Sequence, residues 1–124
     1  MDGRYSEMPV ERPASPAMRV LLVDDEPGVL NALMRLFTRV GAEVRTAASA
    51  EAALAILDEF APDAVVSDHR MAGMTGVELL RVIGGRFPAA RRVLLSGYVD
   101  IDVGDDVVFM AKPYVAAELL AACR

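Results

Sequence analysis

Four short apolar runs, each closed by a polar residue, leave this chain few folds to choose from. Arg19-Val20-Leu21-Leu22-Val23 runs into Asp24 and Asp25, and Ala64-Val65-Val66-Ser67 ends at Asp68. Val93-Leu94-Leu95 ends at Ser96, and Val107-Val108-Phe109-Met110-Ala111 ends at Lys112. Runs this short, β-branched and without alternation, are strands covered on both faces. Glu43 to Ala47 is a weaker, half-polar fifth candidate. Between them lie stretches of helical period. Pro27 suits a first helical turn, and Val29, Leu30, Leu33, Met34, Phe37 and Val40 follow at helical spacing until Gly41. Ser49 is an N-cap candidate for a helix burying Ala53, Leu54, Leu57 and Phe60, which Pro62 closes. After a Gly- and Met-rich loop from His69 to Thr75, Val77, Leu80 and Ile83 face inward on a helix expected to end at Gly84-Gly85. A last amphipathic segment spans Val115 to Cys123. Strands alternating with helices predict an α/β fold, a doubly wound five-stranded parallel sheet.

Residues 1–17, with Pro9, Pro13 and Pro16 and no periodicity, read as a flexible leader, which leaves 18–124 as one domain. With 124 residues, 54% of them hydrophobic, the chain can fill a core and is not a disordered type. Its longest apolar run, Ala52 to Leu57, is far below the roughly 18 residues of a membrane span. Asp2, Glu7 and Glu11 argue against a secretory signal. A single cysteine, Cys123, excludes a disulfide framework and suits a reducing cytoplasm. Zinc is excluded because Cys123 and His69 are the only soft ligands. A net charge of −5 predicts no direct nucleic-acid binding.

Ligands of a doubly wound sheet sit beyond the carboxyl ends of its strands. Those ends carry Asp24, Asp25, Asp68, Ser96 and Lys112, the only lysine in the chain. Like charges at such spacing repel by about 4 kcal/mol per pair at an effective dielectric near 20. They either raise a pKa or take up a cation, and hard oxygens in an open cleft favour Mg2+. Metal, ammonium and hydroxyl together complement a phosphoryl group, and a carboxylate there can be its acceptor. No Gly-rich phosphate loop follows the first strand, so no nucleotide site is expected.

The stretches VLLVDDEP (20–27), VVSDHRMAGMTGVELL (65–80), VLLSGY (93–98) and FMAKPY (109–114) resemble the receiver domain of two-component response regulators, from Met18 onward. The resemblance implies a flavodoxin-like sheet of order 2-1-3-4-5. It implies that Asp68 accepts a phosphoryl group from a sensor histidine kinase or phosphotransfer protein and that the domain then switches conformation toward a partner or output domain. Asp25, Asp24, Asp68 and the Arg70 backbone carbonyl would hold Mg2+. Lys112, next to a cis peptide at Pro113, and Ser96 would meet the phosphoryl group, with Phe109 moving in behind Ser96. The domain would be no enzyme beyond its own phosphoryl transfer and autodephosphorylation.

Three features depart from the family pattern. Ala72 replaces the usual proline, and Phe109 lacks a tyrosine hydroxyl. Ser96 and Lys112 lie only sixteen positions apart, with Gly104 and four aspartates between them. Such residues are poor helix formers, so the fourth helix is expected to be missing or reduced to about one turn across 97–106. That deletion raises an alternative, an interaction module working without phosphorylation. A Mg2+-dependent phosphatase is disfavoured because Arg70 stands where its general acid belongs. Each residue also has an ordinary reading: Asp24, Asp25 and Asp68 as turn residues, His69 as variable loop, Cys123 as small apolar filler, Arg91-Arg92 as a solvated strand entrance.

Overall fold

The computed structural model describes residues 17–98 and 101–124; the leader, apart from Ala17, lies outside them, as do Val99 and Asp100. The elements run β1 (Arg19–Val23), α1 (Pro27–Arg39), β2 (Glu43–Ala47), α2 (Ala50–Ile56), β3 (Ala64–Asp68), α3 (Gly76–Arg86), β4 (Arg91–Ser96), β5 (Val108–Ala111) and α4 (Ala116–Cys123). All strand pairs are parallel, in the order β2-β1-β3-β4-β5. The expected sheet is therefore the observed one.

Period-two alternation splits the core into two layers. Leu21, Val23, Val65 and Leu94 point toward α2 and α3, meeting Ala53, Leu57, Phe60, Leu80 and Ile83. Val20, Leu22, Val66, Val93 and Leu95 point the other way, toward Leu33 and Phe37 of α1 and Leu119 and Cys123 of α4. The sheet strands between helices are apolar on both sides because both sides are covered.

The caps follow local chemistry. Ser49 accepts the Ala52 N–H at 3.1 Å. Thr75 and Glu78 form a reciprocal capping box at the start of α3. Gly41, at φ +86°, takes the left-handed turn after α1 that costs a side chain most.

Two helix ends differ from expectation. α2 stops at Ile56, well before Pro62, because Asp58 and Glu59 bond back three residues in a tightened turn. Phe60 stays buried, beneath the guanidinium groups of Arg19 and Arg45. α3 does not end at Gly84-Gly85 but continues to Arg86. Gly84 serves packing and not termination: the Arg92 guanidinium lies against it, where an added Cβ would collide. Arg92 is therefore no solvated strand entrance; it is 6% exposed and bonds the Leu80 carbonyl and Asp106.

Among the described residues of 97–106 there is no helix, only an extended segment and a turn at Asp105–Asp106. Ile101 and Val103 from this segment, with Phe109, cover the α3-side face next to β4.

Candidate functional site

Each strand on the binding edge stops where its chain must turn, and the residue at that stop faces the cleft. Asp24 follows β1, and its N–H bonds the Ala47 carbonyl at 3.1 Å. One of its carboxylate oxygens, Oδ1, accepts the Glu26 N–H at 2.9 Å. The other, Oδ2, is buried without a hydrogen-bond partner. Asp24 is 1% exposed, and burial is the largest influence raising its carboxyl above the ordinary aspartate value. Asp68 and Asp25 add to that rise, while the Glu26 N–H and Lys112 oppose it.

Lys112, one residue after β5, reaches across β4 to bond Asp68 Oδ1 at 2.7 Å and lies 3.8 Å from Asp24 Oδ2. Burial alone pushes its ammonium pKa down. The bond to and charge of Asp68, with Asp24 and Glu26, outweigh that and raise it. Lys112 is placed by its backbone, whose N–H donates to the Ser96 carbonyl at 2.8 Å. The Lys112–Pro113 peptide is cis. Ser96 is itself buried, and its hydroxyl accepts the Tyr98 N–H at 3.0 Å.

The cleft, about 430 Å³, is lined by Asp25, Glu26, Asp68, Arg70, Ser96, Gly97, Tyr98 and Lys112. The oxygens of Asp24, Asp25 and Asp68 come within 4.8 Å of one another. This donor set fits a small hard dication: three carboxylates, one with an orphaned buried oxygen, beside a cleft roomy enough for waters. Arg70 lines the same cleft. Phe109 is not in it; half-buried on the α3 face, it packs with Ile101 and Val103. His69 lines a separate groove of about 580 Å³ with Met71, Thr75 and Ile101.

Sequence reasoning missed two contacts at the site, that of Arg70 with Tyr98 and that of Gly76 with Asp68. The Arg70 guanidinium donates to the Tyr98 hydroxyl and lies 5.2 Å from the ring centre, and the two residues form a wall between cleft and groove. Gly76 lies so close to the Asp68 carbonyl that a Cβ would overlap it. Gly76 was visible as the last glycine of the 65–80 motif, but its role appears only in three dimensions.

Fold and site together define a parallel α/β domain built to manage charge at one edge of its sheet. The response regulator receiver domain model matches residues 20–124, and the chain belongs to that family, the receiver domains of two-component systems. Similar proteins include the hydrogenase transcriptional regulatory protein HoxA of Cupriavidus necator, 33% identical over 85% of this chain and 23% of the relative. The C4-dicarboxylate transport regulator DctD of Rhizobium meliloti is 34% identical over 89% and 25%. The transcriptional regulatory protein KdpE of Mycobacterium tuberculosis is 34% identical over 85% and 49%. The chain thus spans about a quarter to a half of these relatives' length. Among solved structures, a receiver protein of Sinorhizobium medicae superposes with a TM-score of 0.80, at 28% identity over 86% of this chain and 91% of that one. A Burkholderia pseudomallei response regulator, described with a phosphorylated aspartic acid, a calcium ion and citrate, gives 0.77 at 26% identity over 86% and 66%.

Proposed function

We propose that Asp68 accepts a phosphoryl group from the phosphohistidine of a sensor histidine kinase or phosphotransfer protein. In that step the phosphorus–nitrogen bond of the donor breaks, an oxygen–phosphorus bond to Asp68 forms, and the imidazole leaves. The observation that carries this reading is the 2.7 Å bond from Lys112 to Asp68 beside the unpartnered Asp24 oxygen. A carboxylate held by an ammonium at a cation-ready corner is prepared for an anionic group.

Asp24, Asp25, Asp68 and the Arg70 carbonyl would hold Mg2+, whose charge offsets that of the incoming phosphoryl oxygens. Lys112 supplies a second positive charge, and Ser96 a hydroxyl, once it turns from the Tyr98 N–H. That turn frees space toward Phe109 and Tyr98, so the modification biases the segment after β4 and the surface a partner reads. The likeness to a regulator described with a phosphorylated aspartic acid supports the assignment. Relatives named as transcriptional regulators support an output domain or partner as the receiver of the signal. The domain acts as a switch, with no turnover beyond its own phosphoryl transfer and its reversal by water.

Acetyl phosphate with Mg2+ tests this by intact mass. Wild type should gain one phosphoryl group and Asp68→Asn none. Equal labelling of both would overturn the assignment. A partner that binds Asp68→Asn as tightly as the phosphorylated wild type would favour the phosphorylation-independent module instead.

A further inference from the structure

We infer that the ion pair between buried Arg92 and Asp106 pins the register of β5 on β4 and so sets Lys112 at Asp68. The inference rests on the phosphoacceptor assignment for its functional consequence, and on the fold alone for the register.

β5 needs such a pin. It is a four-residue edge strand with one neighbour, paired Val93↔Val108 through Ser96↔Ala111. The other crossovers each carry a helix that packs on the sheet and fixes where the next strand lies. Among the described residues, the β4–β5 crossover carries none. Side-chain alternation supplies only part of the hold, with Val107, just before the strand, buried in the same layer as Phe109. Phe109 packs in one core layer and Met110 in the other, while Val108 is 45% exposed. With its own residues only half-buried or exposed, β5 is held in register less firmly by its side chains than a fully buried strand would be. A slip would disturb Lys112, because one step along a strand moves it by about 3.3 Å. A 2.7 Å bond to Asp68 would survive such a step only if the lysine's four-carbon stem re-extended.

Arg92 stands at the start of the paired segment. α3 holds it from one side, through the Leu80 carbonyl at 3.3 Å and the glycine at position 84. From the other side its Nη2 takes Asp106 at 2.9 Å, two residues before β5 begins. Arg92 is buried while Asp106 is largely exposed, so the cation depends on that carboxylate more than the reverse. A buried charge that loses its partner is strongly destabilising, and register is the best-attested use of such pairs. The pair thus does at one end of β5 what the missing helix would otherwise do, and Lys112 stands at the other end.

The experiment uses the whole chain, with Asp106→Ala, the conservative Asp106→Glu, and Asp105→Ala as a neighbouring control. Amide exchange and cross-strand NOEs report the register; acetyl phosphate labelling of Asp68 reports its consequence, well below the melting temperature. In Asp106→Ala the Lys112 amide should lose protection about tenfold or more relative to β1 and β3 amides, and the Leu95–Met110 contacts should weaken. Labelling should slow about tenfold or more, as expected for a displaced charged group. Asp106→Glu should recover most of both, and Asp105→Ala should match wild type. Unchanged Lys112 protection in Asp106→Ala, or an equal loss in every strand, overturns the proposal. If Asp106→Ala does not fold, Asp106→Asn is read by the same criteria. Failure of wild type to label Asp68 would count against the phosphoacceptor assignment, and the exchange data would still decide the register.

Discussion

Replacing Gly76 by alanine should damage the domain although alanine is the better helix former. Gly76 is the first residue of α3 and has an ordinary backbone conformation, so the added methyl meets no φ penalty. What it meets is the Asp68 carbonyl oxygen, which it would overlap, and Leu94 Cδ1 at 2.8 Å. A flexible side chain could step aside; the carbonyl belongs to the backbone of β3 and already accepts the Ser67 hydroxyl. Overpacking of this kind costs about 1–3 kcal/mol, against up to about 1 kcal/mol regained in helix propensity. The net loss is about 1–2 kcal/mol, or a melting temperature lower by about 4–10 °C for a domain of this size. Gly28→Ala is the matched control: it lies in α1, meets nothing within 4 Å, and should gain up to about 1 kcal/mol. Urea titrations of the three proteins measure both signs. Gly76→Ala should also label more slowly at Asp68, since relief of the overlap must move that residue's backbone. A Gly76→Ala protein as stable as wild type, labelling at the same rate, would refute the contact argument.

Asp24 and Cys123 give two further tests. Because burial raises the Asp24 pKa in the fold, its contribution is present below the unfolded value and lost as pH rises through the folded one. Asp24→Asn should therefore melt a few degrees higher than wild type near neutral pH without Mg2+, and lose the stabilisation that Mg2+ gives wild type; a lower melting point without the ion would contradict this. Cys123 is buried, and burial pushes its thiol up to about 12. A disulfide reagent at pH 8 should react about a thousandfold more slowly with the folded protein than with the urea-unfolded one, and comparable rates would show the thiol to be accessible.

The sheet and the cleft were legible because both follow from local pattern plus topology. Apolar runs mark strands, and parallel crossovers dictate that Asp24, Asp68, Ser96 and Lys112 share an edge. What the sequence hid depends on pairings with no local trace. Arg92 reads as solvated until α3 passes over it and Asp106 turns back, and the same contact explains why a glycine stands at position 84 inside the helix. α2 ended early through a tightened turn that Asp58 and Glu59 adopt as readily as a helix. Arg70 and Tyr98 meet because two strand ends adjoin, at a separation of twenty-eight residues.

The order in which the site's charges appear along the chain has a consequence for folding. β1, β2 and β3 can pair before β4 and β5 are available, bringing Asp24, Asp25 and Asp68 together with no ammonium among them. Lys112 follows the last strand, so a sheet of β1, β2 and β3 alone would hold its three carboxylates in mutual repulsion. Divalent cations should relieve that repulsion in such a three-stranded sheet, a task that Lys112 shares in the finished domain. The ion that the proposed phosphoryl transfer would use would then also ease the first three strands of the sheet together.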